Sequence, residues 1–276
     1  MAHASSSPDP RADRFVDVDG MSIRYRRSGT GPPLLLLHGT TSSLDHFDGL
    51  VDRLGHDHDL TRLDLPGFGV TGPHPRRDYR IGSYVEVVSR FLDEVGIERC
   101  AVLGNSLGGN IAWNLALDLP EQISALVVVN ATGYPEKELP TGMALARKPW
   151  VRPVLRRVMP RGAVEKNLRA AVGVGCTIVD DAMVDRVHRH WSRPGNRGAF
   201  VDLVNTDQID RTGDLTRIAV PTLVLGSASI PSRFARDIPG AVEVIHPDAG
   251  HLLPEEQPDW VAHHVAAFLA ERGITG

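Results

Sequence analysis

The segment Gly104–Asn105–Ser106–Leu107–Gly108–Gly109 directly follows the apolar run Cys100–Leu103 and precedes a helical pattern. A G-x-S-x-G pentapeptide between a strand and a helix throws its serine outward from a sharp, strained turn, and the flanking glycines leave room for that backbone. The Ser106 hydroxyl is therefore the candidate nucleophile, at the positive end of the helix that follows. A dinucleotide fingerprint fits poorly, because the spacing is not G-x-G-x-x-G. A serine hydroxyl needs a base, and His251 in Ala249–Gly250–His251 follows the last strand pattern, where the order nucleophile, acid, histidine places it. An imidazole titrating near pH 6.5 can take a serine proton and return it around neutrality. The third element is His38–Gly39–Thr40–Thr41, just after the apolar run Leu34–Leu37. The Thr40 and Leu107 backbone N–H groups are the candidate oxyanion hole, each such donor contributing about 3 kcal/mol to a transition state.

These groups must be held by secondary structure, and the chain supplies it in order. Phe15–Val18, Asp19–Gly20 and Met21–Arg26 read as a hairpin, since Asp-Gly marks a tight turn. Further strands are expected at Leu34–Leu37, ending at Leu63, and at Cys100–Leu103, Leu126–Val129, Leu223–Leu225 and Val242–Ile245. Helical patterns lie at Gly82–Val95, Leu107–Leu119 and Trp260–Glu271. Apolar strands alternating with amphipathic helices predict a mostly parallel sheet with helices on both faces. Residues 131–220 break the alternation: they hold no convincing apolar strand, and five prolines precede position 161. They read as a helical insertion. The expected division is a tail at 1–13, a core made of 14–130 and 221–276, and the insertion between them. The tail, with Ser5–Ser6–Ser7–Pro8 and Pro10, is expected to be disordered.

From about Phe15 to Ala270 the chain resembles the α/β-hydrolase superfamily. The resemblance rests on Leu34–Gly39, Asp64–Leu65–Pro66–Gly67–Phe68–Gly69 and the Ser106 turn, and on Pro120–Glu121 with Leu126–Val129, Val220–Leu225, and Gly250–His251 through Pro258. It implies a mostly parallel eight-stranded sheet with helices on both faces, a helical cap inserted after strand 6, and Ser106–His251 catalysis. Asp64–Gly67 matches a structural turn of that family. One position departs from the pattern. The family's acid usually lies three residues past the glycine that follows the Pro221–Leu225 type of strand, which here is Ser229, and Gly226–Pro231 contains no carboxylate. Other members carry the acid at the end of the sixth strand, where this chain has Asn130–Ala131–Thr132. Ser229 and Asn130 are thus the candidates for orienting His251, with Asp207, Asp210 and Asp248 as outside candidates. Loss of the acid costs about 10⁴ in rate in the serine-protease template, roughly 5 kcal/mol.

Three functional readings follow. The first is a serine hydrolase acting on a small ester, lactone, thioester or C–C-cleavable ketone. The second is a non-hydrolytic lyase, cyclase, isomerase or acyltransferase on the same fold, using His251 as acid/base and the oxyanion hole to polarise a carbonyl. The third is a binding protein that has lost the chemistry, against which intact Ser106 and His251 count. No cofactor is called for, and the pairs His56/His58 and His188/His190 lack further ligands at metal spacing.

Composition bounds the partners. Of 276 residues, 30 are Lys or Arg and 34 Asp or Glu, a formal charge of −4, which argues against a nucleic-acid binder. Yet residues 147–169 carry eight cationic side chains against Glu165 alone, so this segment is +7 and the remainder −11. That division suits a small-molecule substrate that is anionic or carrier-bound. Cys100 and Cys176 cannot build a disulfide framework. With no apolar run of spanning length and no apolar core to a leader at the N-terminus, no membrane partner and a cytoplasmic location are expected.

Overall fold

The computed structural model describes residues 11–135 and 141–274. Eight strands form one sheet: β1 (Arg14–Val18), β2 (Met21–Ser28), β3 (Pro33–Leu37), β4 (Asp59–Leu63), β5 (Cys100–Asn105), β6 (Ile123–Val129), β7 (Thr222–Ser227) and β8 (Val242–His246). Their spatial order is β1-β2-β4-β3-β5-β6-β7-β8. The β1–β2 and β2–β4 pairs are antiparallel and the rest parallel. Asp19 and Gly20 both have positive φ, as the tight turn between β1 and β2 requires.

The sheet is covered by α1 (Asp48–Leu54), α2 (Ile81–Glu94), α3 (Leu107–Asp118) and the C-terminal helix. Between β6 and β7 come α4 (Thr141–Ala146), α5 (Arg152–Leu155), α6 (Arg161–Ala171), α7 (Asp181–Ser192) and α8 (Asn196–Val204). The chain then adds α9 (Phe234–Asp237), α10 (Leu253–Glu256) and α11 (Pro258–Glu271). Side chains alternate across a strand, and the core divides accordingly. Leu35, Leu37, Val102, Val128 and Val224 pack with residues of α2 and α3. Leu34, Leu36, Leu103, Val127, Val129 and Leu225 pack with residues of α1 and α11. The near-continuous apolar runs of β3, β5, β6 and β7 are what a strand buried on both faces demands.

The inserted segment is helical, with no strand among its described residues. Its helices bury small clusters of their own, one around Trp191, Phe200 and Val204, another around Val164, Met183 and Val184. Asp180 caps α7 by accepting from the Met183 N–H at 2.8 Å. Among the described residues, no helix is long and apolar enough to cross a membrane.

Residues 1–10 of the expected tail lie outside the described residues, but Asp13 is tied to the sheet, 2.9 Å from Arg24 and 2.7 Å from Arg26. The Arg24 guanidinium on β2 is buried and draws acids to itself. The helix α1 went unread in the sequence: it is seven residues long and buries Leu50, Val51 and Leu54, too short a repeat to stand out.

Candidate active site

The turn between β5 and α3 is built by contact. Ser106 has φ 56° and ψ −113°, a region an L-residue enters only under constraint. The constraint is the close approach of β3, β5 and α3. A Cβ on Gly104 would lie 2.2 Å from the Gly108 carbonyl oxygen, and one on Gly108 2.0 Å from that of Leu37. The Ser106 N–H donates to the Val129 carbonyl at 3.0 Å, and the Ser106 carbonyl accepts from Asn110 and Thr132. Ser106 is buried, and its side chain does not cap α3, whose first residue is Leu107. The N–H groups of that first turn have no acceptor within the helix, and Leu107 is among them.

Gly39 lies directly against the serine, where an added Cβ would come within 3.1 Å of the Ser106 Cβ. It opens the loop carrying Thr40 and Thr41, the latter with φ 65°. His38 anchors this loop. Its Nε2 accepts the Leu65 N–H at 3.0 Å, which leaves Nδ1 to donate to the Gly39 carbonyl at 2.7 Å. Complete burial pushes the His38 pKa down to about 4, so the ring is neutral and structural. Asp64, fully buried, accepts from the N–H groups of Leu44 at 2.7 Å and Val70 at 2.6 Å and from Arg24 at 3.2 Å. The Asp64–Gly67 turn is a loop clasp, as its resemblance implied.

His251 sits on the loop between β8 and α10, and its backbone is held from two sides. Asn105, next to the serine, donates from Nδ2 to the His251 carbonyl at 3.2 Å. Asn130, at the end of β6 with φ 43°, donates from Nδ2 to the Gly250 carbonyl at 3.1 Å and lies 3.5 Å from that of His251. Asn130 thus reaches the histidine through its main chain. Ser229 lies exposed on the turn after β7. The inward position belongs to Ser227 instead, because β7 continues two residues past its apolar run and pairs Ser227 with His246. Ser227 Oγ donates to the Gly250 carbonyl at 2.6 Å, and Asn130 grips Ser227 through both amide atoms. The N–H side of the same loop belongs to Glu256, a buried carboxylate that accepts from Gly250 and Leu252.

Asn105, Ser227 and Glu256 were not singled out from the sequence. The one available signal was Glu256, a carboxylate one turn past His251 and ahead of Pro258. Asp207, Asp210 and Asp248 are exposed, and Asp210 is engaged with the Thr212 hydroxyl. The paired histidines diverge. His188 contacts the Met159 carbonyl at 3.0 Å, whereas His190 lies 3.9 Å from Asp45. His58 is buried, and His56 is exposed.

Residues 32–156 match the family described as alpha/beta hydrolase fold. An uncharacterized hydrolase of Bacillus subtilis, YugF, is 26% identical over 270 residues, spanning 93% of this chain and 97% of its own length. The pimeloyl-acyl-carrier-protein methyl ester esterase of Aeromonas hydrophila is 29% identical over 84% of this chain and 92% of its own length. Among solved structures, the enol-lactonase of Burkholderia xenovorans LB400 superposes with a TM-score of 0.76 over 93% of this chain and 100% of that one, at 21% identity, a likeness of fold.

Proposed function

The chain belongs to the α/β-hydrolase superfamily and is an enzyme of that fold, and on that premise we propose that it is a serine hydrolase with Ser106 as nucleophile and His251 as base. The observation that carries the reading is the strained Ser106 backbone, held in a turn where glycines at 104 and 108 are sterically required. Strain of this kind is kept where it serves a reaction. In this mechanism the Ser106 hydroxyl loses its proton to the His251 imidazole as its oxygen adds to a substrate carbonyl. The Thr40 and Leu107 N–H groups receive the developing oxyanion. Collapse expels the leaving group, which takes the proton from His251, and water, activated by the same imidazole, releases the acid and regenerates Ser106.

The substrate we propose is a small ester, lactone, thioester or C–C-cleavable ketone, bounded by the helical insertion acting as a cap. Residues 147–169 favour an anionic or carrier-bound one. A groove of about 450 Å³ beside them is lined by Arg77, Arg152 and Arg156, with Asp202 as its acid. The esterase of Aeromonas hydrophila, named for a carrier-bound ester, is consistent with that class. A fluorophosphonate should label Ser106 in the folded protein, located by peptide mass. A folded sample left unlabelled at Ser106 would refute the nucleophile.

A second reading has its own support. Gly226–Pro231, where the resemblance puts the acid, contains no carboxylate, and Asn130 and Ser227 both donate to the backbone of the histidine loop. A non-hydrolytic enzyme of this fold can use His251 as acid and base while the oxyanion hole polarises a carbonyl. If Ser106→Ala keeps turnover that His251→Ala abolishes, that reading replaces the first.

A further inference from the structure

The three successive N–H groups at 250–252 and the carbonyls of Gly250 and His251 face different parts of the molecule. The carbonyls go to the sheet, to Asn105, Asn130 and Ser227. The N–H groups go the other way. Gly250 donates to both oxygens of Glu256 at 3.1 and 3.0 Å, and Leu252 to Oε1 at 3.1 Å. Between them, the His251 N–H donates at 2.6 Å to the carbonyl of Ala171, the last residue of α6 in the insertion. Glu256 also reaches the insertion, accepting the Gly173 N–H at 2.7 Å through Oε2.

Packing at this seam is backbone on backbone. A Cβ on Gly250 would lie 2.4 Å from the Val172 carbonyl carbon, and one on Gly173 2.0 Å from the Asp248 carbonyl oxygen. Two glycines therefore allow the chain leaving α6 to lie flat on the histidine loop. The neighbouring Glu255 adds a second tie, 2.8 Å from Arg186 of α7. One turn of helix, α10, thus carries two carboxylates that each hold the insertion, and one of them also holds the loop of the proposed base.

We propose that Glu256 is a positioning residue that joins the insertion to the His251 loop, so that the seating of residues 171–173 on the core sets where the imidazole stands. The proposal rests on His251 as the base of the reading above. Glu256→Gln would keep one acceptor oxygen and turn an N–H₂ toward backbone N–H donors, severing one side of the joint. Loss of the joint acts on proton transfer more than on substrate affinity.

The test uses the full chain, with p-nitrophenyl acetate and a fluorophosphonate as probes. Glu256→Gln should lower kcat and the Ser106 labelling rate by about 100-fold, the scale of a 1 Å misplacement. KM should stay within about threefold, since uniform binding is untouched. Gly173→Ala changes only the insertion side, by wedging a methyl against the Asp248 carbonyl, and should reproduce the effect. In both variants the imidazole NMR signal of His251, assigned by its disappearance in His251→Ala, should move. A folded Glu256→Gln protein with kcat and labelling within about twofold of wild type and an unmoved His251 signal overturns the proposal. Should that variant not fold, the same outcome in Gly173→Ala overturns it. If wild type is not labelled at all, the nucleophile reading fails separately, and the His251 signal decides the positioning role alone.

Discussion

Ser106 and His38 occupy neighbouring strand ends and owe their states to opposite causes. Ser106 is forced into an unusual backbone region by close packing of main chains. His38 is an ordinary histidine kept neutral by burial, with both ring nitrogens engaged by backbone groups. Its depressed pKa makes a stability prediction. The unfolded chain takes up this proton near pH 6.5 and the folded chain only near pH 4. Stability from this group is therefore complete above pH 6.5 and falls as pH drops toward 4, by about 3 kcal/mol at the limit. Urea unfolding across pH 4–7 should show a flatter acid limb in His38→Asn than in wild type, and parallel limbs would refute the assignment. His38 illustrates a limit of spacing arguments, because a histidine beside a serine invites a catalytic role that its hydrogen bonds exclude.

At the scale of elements, the turn between β5 and α3 depends on β3 as much as on its own pentapeptide. Gly108 has the Leu37 carbonyl against its α-carbon, so the start of α3 lies on the end of β3 with no room for a methyl. Gly108→Ala should destabilise the fold by about 3 kcal/mol, as overpacking against a rigid backbone does, and should abolish labelling of Ser106. A variant with an unchanged denaturant midpoint would show that the strand end yields. The strands and α2, α3 and α11 were legible because each carries a long apolar repeat. The register of β7 was not, since its last two residues, Gly226 and Ser227, are small and carry no apolar signal. That two-residue extension selects Ser227 over Ser229 as the side chain that turns inward.

For the whole molecule, the charge division seen in the sequence falls on one structural unit. Lys148 and Arg157 are exposed in the inserted segment, while Arg77 and Arg156 share Asp202 across the seam with the core. A basic inserted segment on an acidic body should attract anions at long range. Arg157→Glu should raise KM severalfold for an anionic aryl ester at about 0.01 M salt, where screening extends about 30 Å, with kcat unchanged. The effect should vanish near 1 M salt and for a neutral ester, and equal effects on both esters would refute it. The same unit also packs on the histidine loop, through the Ala171 carbonyl and the Gly173 N–H.

By itself the sequence determined the chain order of Ser106 and His251, the turns that need glycine, and the alternation that forces a mostly parallel sheet, because these are local properties of residue type and spacing. Tertiary structure decided what holds the histidine loop. Asn105 lies 146 residues from His251 in the chain, and Ser227 lies 97 from Asn130. Partners so distant are chosen by where strand ends converge and by which backbone N–H and carbonyl groups are left unpaired there. Those groups must be satisfied once buried, and no spacing rule says which side chain will reach them. Glu256 is where that requirement is met from both the core and the inserted helices.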